Sequence, residues 1–382
     1  MLGASASISF FLWGMLGVSI GALLPNAMEA FSLSPLMAGM VFVVWSIGFS
    51  LGSIIAERLL RAYGTIAVLA VLSSITALCA FFQFSVMHAA VFFAIYLALG
   101  LCGGAIFTAS HTLFGDLFAE RRSSALAILD VVFSVGNMAA PLVIVAILRW
   151  QWSWQSFYLI AALGFSAISC LFVLQLFGNR LSAKHKSSSR ALEKKTGLEA
   201  LPLLSIACLA IASFALGAVE WTQNVWFVTY ALAGGASEEL ARFSLSSFTA
   251  GMIASRLAVI WFDVAGRSVF VLRFMLALAL LGELSVVFGG ADVPMLTGNF
   301  LLGAGIGGLF PIFLGRAMDR HPASSAALSM LMVVSLTLGG QVASFTLGAL
   351  AEQFGVSAAF LVTLPVIAIM AMAFEASSTT SR

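Results

Sequence analysis

GNRLSAKHKSSSRALEKKTGLEA, residues Gly178 to Ala200, is the one long polar segment of a 382-residue chain. It carries Arg180, Lys184, Lys186, Arg190, Lys194 and Lys195, with His185 and the run Ser187, Ser188 and Ser189. Nearly everything on either side of it is apolar. It lies close to the midpoint and divides the chain into two halves of similar length and texture.

The flanks set the solvent. The chain is 61% hydrophobic and only 9% charged, whereas a soluble domain uses about 25% charged residues. Its surface must therefore be covered largely by lipid. A spanning helix takes about 20 mainly apolar residues, so the chain has room for about a dozen. A formal net charge of +2 gives no footprint for nucleic acid, and the basic residues read as topology markers. Cys79, Cys102, Cys170 and Cys208 each lie inside an apolar run, with no pair at ligand spacing. Buried free thiols are expected, with no metal site and no disulfide. The first apolar run lacks a basic stretch before it and is expected to be a retained helix rather than a cleaved signal.

Twelve apolar runs are long enough to span: 8–28, 36–56, 65–87, 90–114, 123–148, 154–177, 201–231, 243–262, 269–289, 292–315, 325–349 and 355–375. In lipid every backbone group must be bonded internally, so each is expected to be a helix. The fold class is an all-α membrane protein with 12 transmembrane helices in two parallel six-helix bundles. The boundaries are 1–177 for the first bundle, 178–200 for a cytoplasmic basic linker, 201–375 for the second bundle and 376–382 for a cytoplasmic tail. With both termini and the linker in the cytoplasm, every Lys and Arg falls on the inner side except Arg149, Arg242 and Arg256, as the positive-inside rule demands. The linker's six cations hold topology and meet anionic headgroups.

The halves repeat each other at an offset of about 201–206 residues. Ser9-Phe10 matches Ser213-Phe214, Gly103-Gly104 matches Gly307-Gly308, and Ser123-Ser124 matches Ser324-Ser325. The segment from Glu57 to Arg61 matches that from Asp263 to Arg267. Parallel halves of this kind are one known transporter plan, with a substrate site at the midplane between them.

Twelve spans, a six-plus-six repeat, a basic central loop and charged loops after helices 2 and 8 resemble the major facilitator superfamily. Several stretches resemble its fucose-permease-like branch. They are Phe10-Phe11-Leu12-Trp13 with Leu23-Leu24-Pro25, Gly217-Ala218-Val219-Glu220 with Trp226 and Tyr230, Gly251-Met252 with Arg256-Leu257, and Leu309-Phe310-Pro311. The resemblance implies alternating access between two rocking halves, with helices 1, 4, 7 and 10 lining a cavity. There are departures. The acids that fucose-type symporters carry in helices 1 and 4 are replaced by Gly21 and by an acid-free stretch around Ala105. In the loop after helix 2, Ser53 and Glu57 stand where the superfamily's gate motif has glycine and aspartate, while Arg58 and Arg61 keep its basic positions.

An ionisable residue within a span is a functional candidate by default. At about 1.5 Å rise per residue, Glu220 lies about 17 Å from the outer end of helix 7 and Arg256 about 19 Å from that of helix 8. The two are expected to pair, either as a purely structural bridge or as a proton-coupling device. In the second case protonation of Glu220 or substrate binding would break the pair. Glu283, in the outer part of helix 9, is expected to face lipid or a neighbour in a structural role, and Asp130 to pair with a loop base. Trp13, Asn137, Gln223, Asn224, Trp226, Tyr230, Asn299 and Gln341 are the substrate-binding candidates. Amides and aromatics with few charges suit a neutral, modestly polar ligand, and the same side chains also serve as interhelical hydrogen bonds. Glu57, Arg58, Arg61, Asp263 and Arg267 are candidates for a cytoplasmic gate.

Two motifs mislead. The glycine-rich stretches around Gly103 and Gly307 lack the Lys-Ser/Thr ending of a phosphate loop and are expected to serve helix packing and bending. His111 and Asp116 have an acyltransferase-like spacing but lie at a helix end without companion blocks, so His111 is expected to be a vestibule residue. Pro141, Pro311 and Pro365 mark expected kinks. The functional expectation is a secondary active transporter of a small solute, coupled to protons, without catalytic residues or cofactors. The solute is a sugar or related metabolite, with export of a metabolite, siderophore or drug as the alternative. A monomer embedded in the bilayer is expected.

Overall fold

A computed structural model of the chain describes residues 2–118, 122–179, 202–262, 269–290, 293–321 and 324–379. All described regular structure is helical, and the chain resolves into two compact units, Met1–Lys186 and Ser187–Arg382. The linker from residue 180 onward lies outside the described residues.

The first unit contains α1 (Leu2–Ala22), α2 (Leu24–Phe31), α3 (Pro35–Tyr63), α4 (Thr65–Phe84), α5 (Ala89–Leu117), α6 (Arg122–Arg149) and α7 (Ser156–Asn179). The second contains α8 (Leu203–Ala233), α9 (Glu238–Phe262), α10 (Val269–Phe288), α11 (Val293–Ile306), α12 (Leu309–Arg320), α13 (Ser325–Phe354), α14 (Val356–Phe360) and α15 (Thr363–Thr379). Local chemistry sets the boundaries. Ser34 caps α3 by accepting from the Met37 amide, with Pro35 pre-set in the first turn. Gly64 alone joins α3 to α4, at φ +80°, a conformation open to glycine and costly for other residues.

Eleven segments are long and apolar enough to cross a membrane. Glu238–Phe262 is the remaining span. It is the most polar because it holds Glu238, Glu239, Arg242 and Arg256. Three spans are interrupted. The first breaks at Leu23, before Pro25; the tenth at Gly307-Gly308, before Pro311; the twelfth at Leu361-Val362, before Pro365. Pro141 instead sits inside the continuous α6. The last helix runs to Thr379, into the expected tail.

Without a hydrophobic drive between helices, membrane bundles rely on small residues that let backbones approach. Here α1 crosses α6, with Gly14 against the Phe133 carbonyl and Gly136 against that of Phe11. In the second unit α8 crosses α13 in the same way, with Gly217 against Leu336 and Gly339 against Phe214. The α3–α5 crossing sets Gly48 against Leu97 and Gly100 against Trp45; the α9–α11 crossing sets Gly251 against Phe300 and Gly303 against Phe248. Each contact recurs 203 positions later (14 to 217, 136 to 339, 48 to 251, 100 to 303). The glycines therefore serve packing in both bundles, and in the tenth span bending as well. Large apolar side chains such as Leu163, Leu174, Phe177, Met330 and Met372 remain exposed along the outer helix faces, as lipid contact requires. All four cysteines are free thiols. Cys102 and Cys208 are buried and Cys79 partly so, whereas Cys170 is exposed on the outward side of α7, which corrects its expected burial.

Candidate functional site

Helix α8 organises the second unit's polar residues. Glu220, Gln223, Asn224, Trp226 and Tyr230 occupy about three turns of it, and all but Asn224 reach a neighbouring helix. Arg256 of α9 places Nη2 4.0 Å from Glu220 Oε1, with about a quarter of each side chain exposed. Arg256 Nε also donates to the Gly307 carbonyl at 3.2 Å. That carbonyl lies at the break between α11 and α12, so one guanidinium ties the carboxylate of helix 7 to the bend of helix 10.

One turn further along, Gln223 is fully buried and its Nε2 donates to Glu283 Oε2 at 2.9 Å. Thr363 Oγ1 meets the other oxygen of the same carboxyl group. Glu283 is 0% exposed. It faces the interior between α8, α10 and α15, so of the two expected surroundings, lipid or a neighbour, it takes the neighbour. In a bilayer an acid on a lipid-facing side is costly, and the amide and hydroxyl of two neighbouring helices offer it a polar pocket instead.

The other substrate-binding candidates divide into two groups. Trp226 donates to the Ser344 carbonyl at 3.1 Å, Tyr230 to that of Val286 at 3.3 Å, and Asn299 to Ser244 Oγ at 3.0 Å. Tyr230 also stacks on Phe360, with ring centroids 4.1 Å apart. Together with Gln223, these side chains spend polar groups inside the bundle. Trp13 is buried against Gly103 and Phe165 in the first unit. Gln223 Oε1 and Asn299 Oδ1 nonetheless lack a hydrogen-bond partner among the described residues, and the second group of amides keeps acceptor capacity as well. Asn137 is half-buried, and its Oδ1 has no hydrogen-bond partner among the described residues. Asn224 donates to the Glu220 carbonyl at 2.9 Å and likewise has an unpartnered Oδ1. Gln341 is half-buried on α13.

The first unit holds a pair that the sequence did not reveal. His111 Nε2 lies 3.1 Å from Asp130 Oδ1, joining α5 to α6. Among the described residues, Asp130 therefore pairs with a histidine of the neighbouring helix and not with a loop base. Phe107 packs on the His111 ring at 4.1 Å and Phe10 lies edge-on to it. The only signal in the sequence was two ionisable residues near the inner ends of consecutive spans, and nothing there fixed their facing. Of the gate candidates, Arg58 and Arg61 are exposed on the last turns of α3. The side chain of Glu57, and Asp263 and Arg267 altogether, lie outside the described residues.

Comparison with known proteins agrees with this architecture. The chain is 24% identical over 353 residues to the glucose/mannose transporter GlcP of Bacillus subtilis, covering 89% of this chain and 85% of that protein. The D-xylose-proton symporter superposes with a TM-score of 0.76 at 15% identity, over 98% of this chain and 95% of the symporter. The nucleoside transporter NupG does so at 0.74 and 16%, over 98% of each chain. A family model described as Major Facilitator Superfamily matches residues 2–208. That is more than half of the sequence, and with the twelve spans and the residue-by-residue repeat of helix crossings it places the chain in the Major Facilitator Superfamily, as a secondary active transporter and not an enzyme.

Proposed function

We propose that this transporter moves a small, uncharged polar solute, a sugar or a related metabolite, by alternating access, and that protons drive it through Glu220 and Arg256. The observation that carries this reading is the pair itself: a carboxylate and a guanidinium on consecutive spans, 4.0 Å apart and partly accessible. At that separation the contact is close enough to attract and loose enough to be exchanged. When Glu220 takes up a proton the attraction vanishes, while the bond from Arg256 to Gly307 at the bend of helix 10 remains. Protonation therefore changes what holds helices 7, 8 and 10 together.

The solute class is supported by the uncharged amide side chains of Asn137, Asn224 and Gln341. They offer hydrogen bonds without charge, as a hydroxyl-rich solute needs. Similarity to a glucose/mannose transporter and to a D-xylose-proton symporter points the same way. Both termini and the basic linker are proposed to be cytoplasmic, with Glu57, Arg58, Arg61, Asp263 and Arg267 clamping the inner face. The protein is proposed to act as a monomer in the bilayer. Export by proton antiport is the second reading, favoured by the missing acids at Gly21 and around Ala105.

Proteoliposomes with an imposed pH gradient and a panel of hexoses, pentoses and nucleosides test this. Solute should move with the proton gradient in the wild type and lose that drive in Glu220→Gln. Flux that ignores the pH gradient would sink the proton coupling. Flux only against the direction of proton entry would establish export.

A further inference from the structure

Glu283 is the most deeply enclosed acid described in the chain. Among the described residues, the elements around it supply no compensating cation. Gln223, Tyr230 and Glu220 are the polar or titratable groups on the facing part of α8, and Glu220 is engaged with Arg256. Helix α11 carries no titratable residue. On α15 the acid Glu375 is held by Arg273 of α10 itself. That pair stands ten residues from Glu283, about 15 Å along the helix. On α12, Arg316 packs over Phe374 near the same end. No ion pair to Glu283 exists among the described residues.

The hydrogens around the carboxyl group can be counted. Gln223 Nε2 donates one, to Oε2. Thr363 Oγ1 stands within hydrogen-bonding reach of two oxygens, Glu283 Oε1 and, at 2.8 Å, the Phe360 carbonyl. A threonine hydroxyl has a single hydrogen. The Phe360 carbonyl needs it. In a continuous helix the Leu364 amide would bond Phe360 O, but at the break between α14 and α15 it bonds Leu361 O instead, at 3.2 Å. Without Thr363 this buried carbonyl would be orphaned. The hydrogen between Thr363 and Glu283 must then come from the carboxyl side.

We infer that Glu283 is a proton-binding site of the second bundle, occupied in this conformation as a carboxylic acid that donates to Thr363 Oγ1, which donates onward to Phe360 O. Loss of the proton breaks the Glu283 O–H bond, leaves its electron pair on a carboxylate, and passes the proton to water. Thr363 then faces two acceptors with one hydrogen. Either the carboxylate or the Phe360 carbonyl loses its partner, so proton occupancy is linked to the break in helix 12. Gln223, bonded to the other oxygen, lies one turn from Glu220, so the same event reaches the pair on helices 7 and 8. The consequence for transport rests on the proton-driven reading above; the bound proton does not.

Infrared difference spectroscopy of the whole protein in lipid nanodiscs at neutral pH tests the bound proton. The wild type should show a deuterium-sensitive carboxylic-acid carbonyl band that is lost in Glu283→Gln and kept in Glu220→Gln. Thr363→Val should shift that band and Thr363→Ser restore it. Identical spectra for wild type and Glu283→Gln would overturn the proposal. In proteoliposomes, Glu283→Gln with an unchanged melting temperature should lower pH-driven accumulation by about tenfold or more. Accumulation equal to wild type would overturn the coupling role, and so would a sodium gradient that replaces the pH gradient through Glu283. If Glu220→Gln accumulates normally while Glu283→Gln does not, the ion-pair reading fails and this one stands. If no gradient of protons drives any variant, the functional reading fails and the infrared band still decides whether Glu283 holds a proton.

Discussion

Gly17, Ser53 and Ala80 in the first bundle stand 203 positions before Glu220, Arg256 and Glu283 in the second. The same offset carries His111 and Asp130 onto Leu314 and Val333. The helix crossings repeat at this spacing contact by contact, yet none of these ionisable positions does. The frame and the chemistry are thus under different constraints. Two helices that approach to backbone contact tolerate only glycine at the crossing, and any copy of the frame must keep it. A buried charge, by contrast, costs several kcal/mol and persists only where it has a partner, so each bundle keeps its own. The sixth and twelfth spans differ in the same sense. In the first unit α7 packs mainly on α4, with Ser74 and Ser169 hydroxyls 2.6 Å apart. In the second, α15 packs mainly on α8. Its lighter contact with α10 is bridged by Glu283 and Thr363, where the first bundle has Ala80 and Ile160.

The most damaging way to break this comparison is at the crossings. Gly14→Val and Gly217→Val each place new atoms into a facing backbone, at Phe133 and Leu336 respectively. Overpacking costs about 1–3 kcal/mol, and more where backbone must move. Both variants should lose most folded protein in size-exclusion and thermal-unfolding measurements, by similar amounts. If one bundle absorbs the change and the other does not, the frame is not shared in energy as it is in geometry.

Next in size is the charge pair. Arg256→Leu strands the Glu220 carboxylate, a loss of about 3–5 kcal/mol for a fully buried pair and less here, where both side chains are partly exposed. Glu220→Gln combined with Arg256→Leu should recover much of the melting temperature while proton-driven accumulation stays lost. Ser53→Ala, at the equivalent position in the first bundle, removes only a bond to the Gly104 carbonyl at 3.1 Å. It should cost about 1 kcal/mol or less and leave accumulation near wild type. A double variant that transports normally would make the pair purely structural.

These contrasts also mark what was legible in the sequence. Apolar runs about a bilayer thick, basic loops and paired glycines were enough for twelve spans and a repeat, because lipid leaves the backbone few options. The meeting of Glu220 and Arg256 could be read from rise per residue and the antiparallel order of helices 7 and 8. Which of lipid or a neighbour Glu283 would face stayed open, because depth along a helix can be counted but its facing cannot. A run such as Val269–Phe288 is apolar all round and gives no stripe to show which side is inward. Thr363 gave no signal at all. Its role arises from the break at Leu361-Val362, which frees a carbonyl, and from the way α15 brings it to α10. His111 and Asp130 were each visible, but their contact depends on how α5 meets α6.

The smallest effects separate amides that hold the bundle from amides open to solute. Both Asn299 and Asn137 keep a carbonyl oxygen without a partner among the described residues, but Asn299 is fully buried with its Nδ2 spent on Ser244, whereas Asn137 is half-buried. Interhelical hydrogen bonds in membrane proteins average about 0.6 kcal/mol, so Asn299→Ala should lower the melting temperature slightly and leave KM alone. Asn137→Ala and Gln341→Ala should do the reverse. If they meet solute, each loses one hydrogen bond worth about 0.5–1.5 kcal/mol, a rise in KM of at most about tenfold, with stability unchanged. The contrast holds only if the two measurements move apart. Should Asn299→Ala raise KM while Asn137→Ala lowers stability, the acceptor left open in Asn137 belongs to packing, and the solute is held by the buried amides of the second bundle.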